Sequence, residues 1–156
     1  MSARDTPGVI APPPLIYLAF LLAGWGLGQL IGEPGLGLES ALRRGLAFAL
    51  VLGGLVVEWA AVASLRRLGT PPEPWKTTTA LATGGLYGLS RNPIYLGFSL
   101  IFVGFGVAMD SPVALALIFP CLIVIDRFVI AREEVYLARK FGPAWTDYAQ
   151  KVRRWL

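Results

Sequence analysis

The stretch Ser111-Pro112-Val113-Ala114-Leu115-Ala116-Leu117-Ile118-Phe119-Pro120-Cys121-Leu122-Ile123-Val124-Ile125-Asp126-Arg127-Phe128-Val129-Ile130-Ala131-Arg132-Glu133-Glu134 decides the fold class. It opens with a helix-start pair, Ser-Pro, and stays apolar through Ile125 before any charge appears. From Pro112 to Glu133 a helix rises roughly 32 Å at about 1.5 Å per residue. A bilayer's hydrocarbon core is about 30 Å thick. Glu133 and Glu134 therefore emerge at the far interface without a costly charge in mid-bilayer, and Pro120 is a candidate bend. The helix continues to about Lys140, and Gly142-Pro143 ends it and starts another.

Three more apolar stretches precede this one: Leu15 to Ile31, Gly45 to Leu65 and Ile94 to Met109. The sequence predicts an all-α, polytopic membrane protein with four transmembrane helices and a C-terminal amphipathic helix at the interface. In that tail Trp145, Tyr148, Val152 and Trp155 recur at spacings of three and four and form one apolar face. The 156 residues are 55% hydrophobic and only 15% charged, which fits a single integral membrane domain. The N-terminal tail lacks the pattern of a removed signal peptide, so the first span reads as retained.

Net charge is +4, but the basic residues flank apolar spans. That distribution sets orientation in a bilayer and argues against nucleic acid as partner. Of the 14 Lys and Arg residues, only Arg43 and Arg44 fall in the connection before the second span. The richer side, with both termini and the Arg66–Arg91 loop, reads as cytoplasmic, and a bacterial inner membrane is the expected location. Asn92 and the Glu133-Glu134 pair then share one face although 40 residues separate them. The chain has no histidine and one cysteine, Cys121, inside an apolar run. Histidine-based catalysis, zinc sites and disulfides are thereby excluded, and no metal is expected.

Two polar motifs remain as carriers of chemistry. The first is Gly84-Gly85-Leu86-Tyr87-Gly88-Leu89-Ser90-Arg91-Asn92-Pro93-Ile94-Tyr95-Leu96-Gly97. A guanidinium at a helix entrance binds a carboxylate or phosphate through a forked pair of hydrogen bonds. The alternative is that Arg91 anchors to lipid phosphate, Asn92 caps the helix and Pro93 starts it. Its glycines lack the lysine and strand–helix setting of a phosphate loop. The second motif is Arg132-Glu133-Glu134-Val135-Tyr136-Leu137-Ala138-Arg139-Lys140-Phe141-Gly142. Adjacent carboxylates on a helix point about 100° apart, so one faces a pocket while the other pairs with Arg132, Arg139 or Lys140. The alternative there is a solvated charged turn.

Glu58, well inside the second span, either pairs with Arg66 or Arg127 or faces a substrate. Gly24, Gly28 and Gly32 in the first span, and Gly97, Gly104 and Gly106 in the third, predict close helix packing.

Taken together, these motifs, with Trp145, Tyr148 and Val152-Arg153-Arg154-Trp155, resemble the isoprenylcysteine carboxyl methyltransferase family, kin of membrane phosphatidylethanolamine methyltransferases. The likeness runs from roughly Gly69 to the C-terminus. It implies S-adenosylmethionine held between the last two spans and the tail, so that the cofactor part of the domain is about 69–156. It implies cofactor contacts from Gly85, Tyr87, Arg91, Asn92, Pro93, Tyr95, Gly97, Glu133, Glu134, Tyr148 and Arg153, with Arg91, Asn92 and Glu134 at the catalytic centre. Where many relatives carry Arg-His-Pro, this chain has Asn92; it has Trp145 where a tyrosine is common. The expected acceptor is a lipophilic molecule with a carboxylate or thiol. A sulfonium donor already carries an activated methyl group, so a site without histidine suffices for it. The competing readings are a membrane NADPH-dependent reductase of the steroid-reductase type and a non-enzymatic helical scaffold.

Overall fold

The computed structural model describes residues 6–156, all helix and loop with no strand among them. Helix α1 spans Pro13–Ile31, α2 Ser40–Arg67, α3 Pro93–Ala108, α4 Pro112–Phe141 and α5 Pro143–Lys151. Of these, α1, α2 and α4 are long and apolar enough to cross a membrane. Helix α3 has 16 residues, a rise of about 24 Å, and is apolar throughout.

Prolines at the first turns start α1, α3, α4 and α5, where a missing N–H is harmless and φ is preset. Helix α2 starts five residues before the expected Gly45, because Glu39 accepts the amide protons of Ala41 (3.0 Å) and Leu42 (3.1 Å). Arg43 and Arg44 thus lie on the helix rather than in a connection. Gly32 ends α1 in the left-handed region at φ 64°.

Glycine lets the helices approach. Gly54 and Gly97 meet at the α2–α3 crossing, where an added Cβ on Gly54 would stand 2.6 Å from the Gly97 carbonyl oxygen. Gly104 packs on Ala47 and Val51 of α2, Gly106 on Leu115, and Gly24 seats the backbone of Ala114. Gly28 faces the Glu33 carboxylate instead, and Gly32 serves the cap, so the four-residue glycine repeat is only partly a packing stripe. The core centres on Tyr17, whose ring lies 5.7 Å from Phe98 and 6.3 Å from Phe102, with Ile125, Val129 and Ile130 fully buried behind them. On the outside, Phe48, Trp59 and Phe119 stand 70 to 71% exposed, an apolar girdle that suits lipid and not water.

Helix α4 is not uniform. Its first break falls at Leu117, three residues ahead of Pro120. The wider i→i+5 spacing at Asp126–Ile130, a π-helical segment, has no signature in the hydropathy pattern. That segment re-aims the last turns, Ala131–Phe141, which carry the paired glutamates.

Candidate active site

At one end of the bundle, residues 68–92 form a long loop. Thr70 organises it: its hydroxyl lies 2.9 Å from that of Thr79 and accepts the Ala80 N–H at 2.7 Å. Tyr136 of α4 accepts the Thr78 N–H at 3.0 Å and so ties the loop to the helix. Past a 3-10 turn at Gly85–Gly88, whose Gly85 adopts φ 60°, the loop delivers Arg91 and Asn92 to the start of α3. At φ 60° a side chain would strain the backbone, which is why glycine stands there.

Asn92 does not cap α3. Its Nδ2 donates instead to the Arg154 carbonyl at 2.8 Å, while its own N–H is taken by Ser90 Oγ at 3.1 Å. Ser90 also donates to that carbonyl, and the Arg91 N–H donates to the Arg153 carbonyl at 3.0 Å. Five residues of the α3 entrance and tail are thus laced together.

Around this seam lies a charge cluster. Glu134 takes Arg154 through Nη2 and, at 3.1 Å, through Nε; its Oε1 also lies 3.3 Å from Arg91 Nη2. Arg154 reaches Asp126 with Nη1 at 3.0 and 3.1 Å, and Trp155 Nε1 donates to the same carboxylate at 3.2 Å. The Glu134 and Asp126 carboxylates together hold the Arg154 guanidinium even more firmly protonated than usual. Forked contacts of this kind fix geometry as well as charge.

Glu133, on the next face of the helix, accepts the Tyr95 hydroxyl at 2.6 Å. The Tyr148 hydroxyl donates to the Tyr87 carbonyl at 2.7 Å, and burial pushes its pKa up to about 12, so it remains a neutral donor. The Arg91 guanidinium lies 5.8 Å from the centre of the Trp145 ring. Its Nε is buried and has no hydrogen-bond partner among the described residues.

These groups wall a cavity of about 260 Å³. Its lining carries the polar groups of Glu58, Arg91, Asn92, Tyr95, Glu133, Glu134 and Tyr148 together with apolar Val62, Leu65, Ile94 and Phe98. Tyr87, Pro93 and Trp145 also line it.

Of the residues singled out in the sequence, Gly85, Gly97 and Arg153 do not line this cavity. Gly97 is spent on the contact with α2, and Arg153 is exposed. Glu58 lines the cavity and pairs with neither Arg66 nor Arg127. Glu134 is paired by Arg91 and Arg154 rather than by Arg132, Arg139 or Lys140. The sequence by itself assigns no site role to Arg154 or Asp126. Asp126 offered a signal, a carboxylate at the end of an apolar run, but Arg154 is one of three cations among the last residues.

The tail also departs from a single amphipathic helix. Helix α5 ends at Lys151, and Val152 is extended at φ −116°, ψ 131°. Trp145 and Tyr148 face the cavity, whereas Trp155 swings to Asp126 and the core.

Known proteins are similar to parts of this chain. Over 63 residues, 40% of this chain, it is 41% identical to the whole of an uncharacterized protein from Haemophilus influenzae. Over 75 residues, 46% of the chain, it is 39% identical to protein-S-isoprenylcysteine O-methyltransferase B of Arabidopsis thaliana. Over the same length it is 37% identical to a probable protein-S-isoprenylcysteine O-methyltransferase of Oryza sativa subsp. indica. The matched segment spans only 36 to 38% of those two plant proteins. The sequence profile of phospholipid methyltransferases matches residues 42–144, from the first turn of α2 through the α4–α5 corner that brings Glu134 and Trp145 to the cavity. With most of its length inside that match, this chain belongs to the phospholipid methyltransferase family.

Proposed function

We propose that this protein is an integral membrane methyltransferase that takes its methyl group from S-adenosylmethionine and passes it to a lipophilic acceptor. One observation carries the reading. Arg91 from the α3 entrance and Glu133 and Glu134 from α4 wall the same cavity, whose lining is part polar and part apolar. A volume near 260 Å³ lies just below the usual range for ligand pockets, roughly 300 Å³ and upward.

The residues present fit the donor. Arg91 retains an unpartnered buried Nε, a hydrogen-bond donor suited to a carboxylate. Glu134 has its oxygens engaged by Arg91 and Arg154, so it positions Arg91; Glu133 is bonded at one oxygen and can accept from an ammonium or a ribose hydroxyl with the other. Trp145, Tyr87 and Tyr148 offer aromatic surface for a base or a sulfonium. Bound there, S-adenosylmethionine supplies a methyl group already activated for transfer. The chain itself orients, excludes water and presents the apolar wall to an acceptor arriving from the bilayer.

In the membrane we assign α3 as a fourth span, shortened and sheltered between its neighbours, and α5 to the interface. Both termini and the site then face the cytoplasm, by the positive-inside distribution.

Calorimetry on the detergent-purified protein tests the donor. S-adenosylhomocysteine binds the wild type and NADPH does not; Arg91→Ala and Glu133→Gln weaken binding at least about tenfold, the worth of one charge-assisted hydrogen bond. Exposed Arg44→Ala leaves it unchanged. No binding, or equal affinities in all variants, overturns the reading.

A further inference from the structure

Glu58 lies on the cavity wall among Val62, Leu65 and Phe98, and nothing described above uses it. Its place is fixed by the close α2–α3 crossing: an added Cβ on Gly97 would stand 3.0 Å from Glu58 Cβ and 3.1 Å from its N. Level with Gly97, it sits about 6 Å deeper in the bundle than Pro93, at about 1.5 Å per residue. Its carboxylate has no hydrogen-bond or ion-pair partner among the described residues. An acidic group kept unpaired beside apolar surface is expensive, and its usual warrant is a ligand or a proton.

We infer that Glu58 is the proton acceptor for the group that is methylated, and that the acceptor presents an N–H or S–H nucleophile on a lipophilic tail rather than a carboxylate. This rests on the proposed donor. A carboxylate acceptor has no proton to lose and would place a second negative charge against Glu58. An amine or thiol reverses both objections.

The step balances with S-adenosylmethionine as the co-reactant. The Glu58 carboxylate takes the proton from nitrogen or sulfur, and the freed lone pair forms the new bond to the methyl carbon. The carbon–sulfur bond of the donor breaks and its electron pair stays on sulfur, which becomes a neutral thioether. Glu58 then returns its proton to water at the cavity mouth.

Dodecylamine, dodecanethiol and dodecanoic acid, each incubated with labelled donor and the detergent-purified protein, separate the classes by mass spectrometry of the products. The amine or the thiol is methylated and the acid is not. Glu58→Gln lowers that rate by about a hundredfold or more, the range for loss of a general base. Glu58→Asp keeps part of it, and S-adenosylhomocysteine affinity in both variants stays within twofold of wild type.

A second readout needs no turnover. Calorimetry on the S-adenosylhomocysteine complex detects binding of the amine or the thiol and not of the acid, and Glu58→Gln weakens that binding at least about tenfold, the worth of one charge-assisted hydrogen bond. Methylation of the acid alone, a Glu58→Gln rate within threefold of wild type, or equal binding of all three probes overturns the assignment. Failure of the wild type to bind S-adenosylhomocysteine would instead remove the donor reading on which it rests.

Discussion

The two ends of this bundle use the same chemistry to opposite effect. At the far end, α3 and α4 are joined by residues 109–111, and α1 reaches α2 through residues 32–39. Glu33 there accepts from Ser111 Oγ and from the Val113 N–H at 2.8 Å, and Asp110 holds Arg43 and accepts the Leu36 N–H at 2.9 Å. These carboxylates close helix ends and turns. At the site end, Glu134 and Asp126 likewise hold cations, yet Glu133, Glu58 and Arg91 line a cavity.

Among the described residues each end leaves one buried guanidinium Nε unpartnered, Arg43 and Arg91, but only Arg91 lines the cavity. Short connections leave no room for a ligand. A 25-residue loop (68–92) and a returning tail do.

The contrast breaks most readily at Glu134. Glu134→Ala strands Arg91 and Arg154 without their shared counter-ion, and truncating one partner of such a pair costs about 3 kcal/mol. We expect S-adenosylhomocysteine affinity to fall about a hundredfold by calorimetry. Retained affinity would show that the ionic cluster is as purely structural as the one at the far end.

Ser111→Ala probes that other end. It removes the hydroxyl that donates to Glu33 and accepts from Ala114, at a cost of about 1 to 3 kcal/mol. Thermal unfolding in detergent should shift downward while affinity for S-adenosylhomocysteine holds. A loss of affinity without a loss of stability would join the two ends functionally and dissolve the distinction.

Tyr95→Phe is subtler. It deletes one hydrogen bond to Glu133, worth about 1.5 to 3 kcal/mol for a charged acceptor, and keeps the ring in place. Affinity should drop roughly tenfold with a smaller change in melting temperature than Ser111→Ala gives. The smallest effect belongs to Arg153→Ala. Its side chain is exposed and among the described residues reaches only the Leu156 carbonyl at 3.4 Å, so both affinity and melting temperature should stay at wild-type values. A marked loss there would return Arg153 to the site.

Much of this architecture is written in local chemistry. The run from Pro112 to Ile125 and the prolines at 93, 112 and 143 announce helices, because hydropathy and proline geometry act within a few residues. The same local reading placed Asn92 and Glu134 at one face, and the structure joins their neighbourhoods through Arg91 and Arg154. The resemblance singled out Arg153, whereas it is Arg154 that meets Glu134 and Asp126. That choice turns on the backbone leaving α5 at Val152, since successive side chains of an extended segment point to opposite sides.

The sequence by itself determined which segments are helical and apolar and where the charges collect along the chain. Only the tertiary structure decided that Glu58 is unpaired among the described residues, that Asn92 serves the tail instead of a cap, and that a π-helical turn at Asp126 precedes the glutamates. The reason is range. Helix and hydropathy signals are carried by residues three or four apart, whereas the partners of Glu134, Asp126 and Asn92 lie 20 to 62 residues away and meet only when the packed helices bring them together.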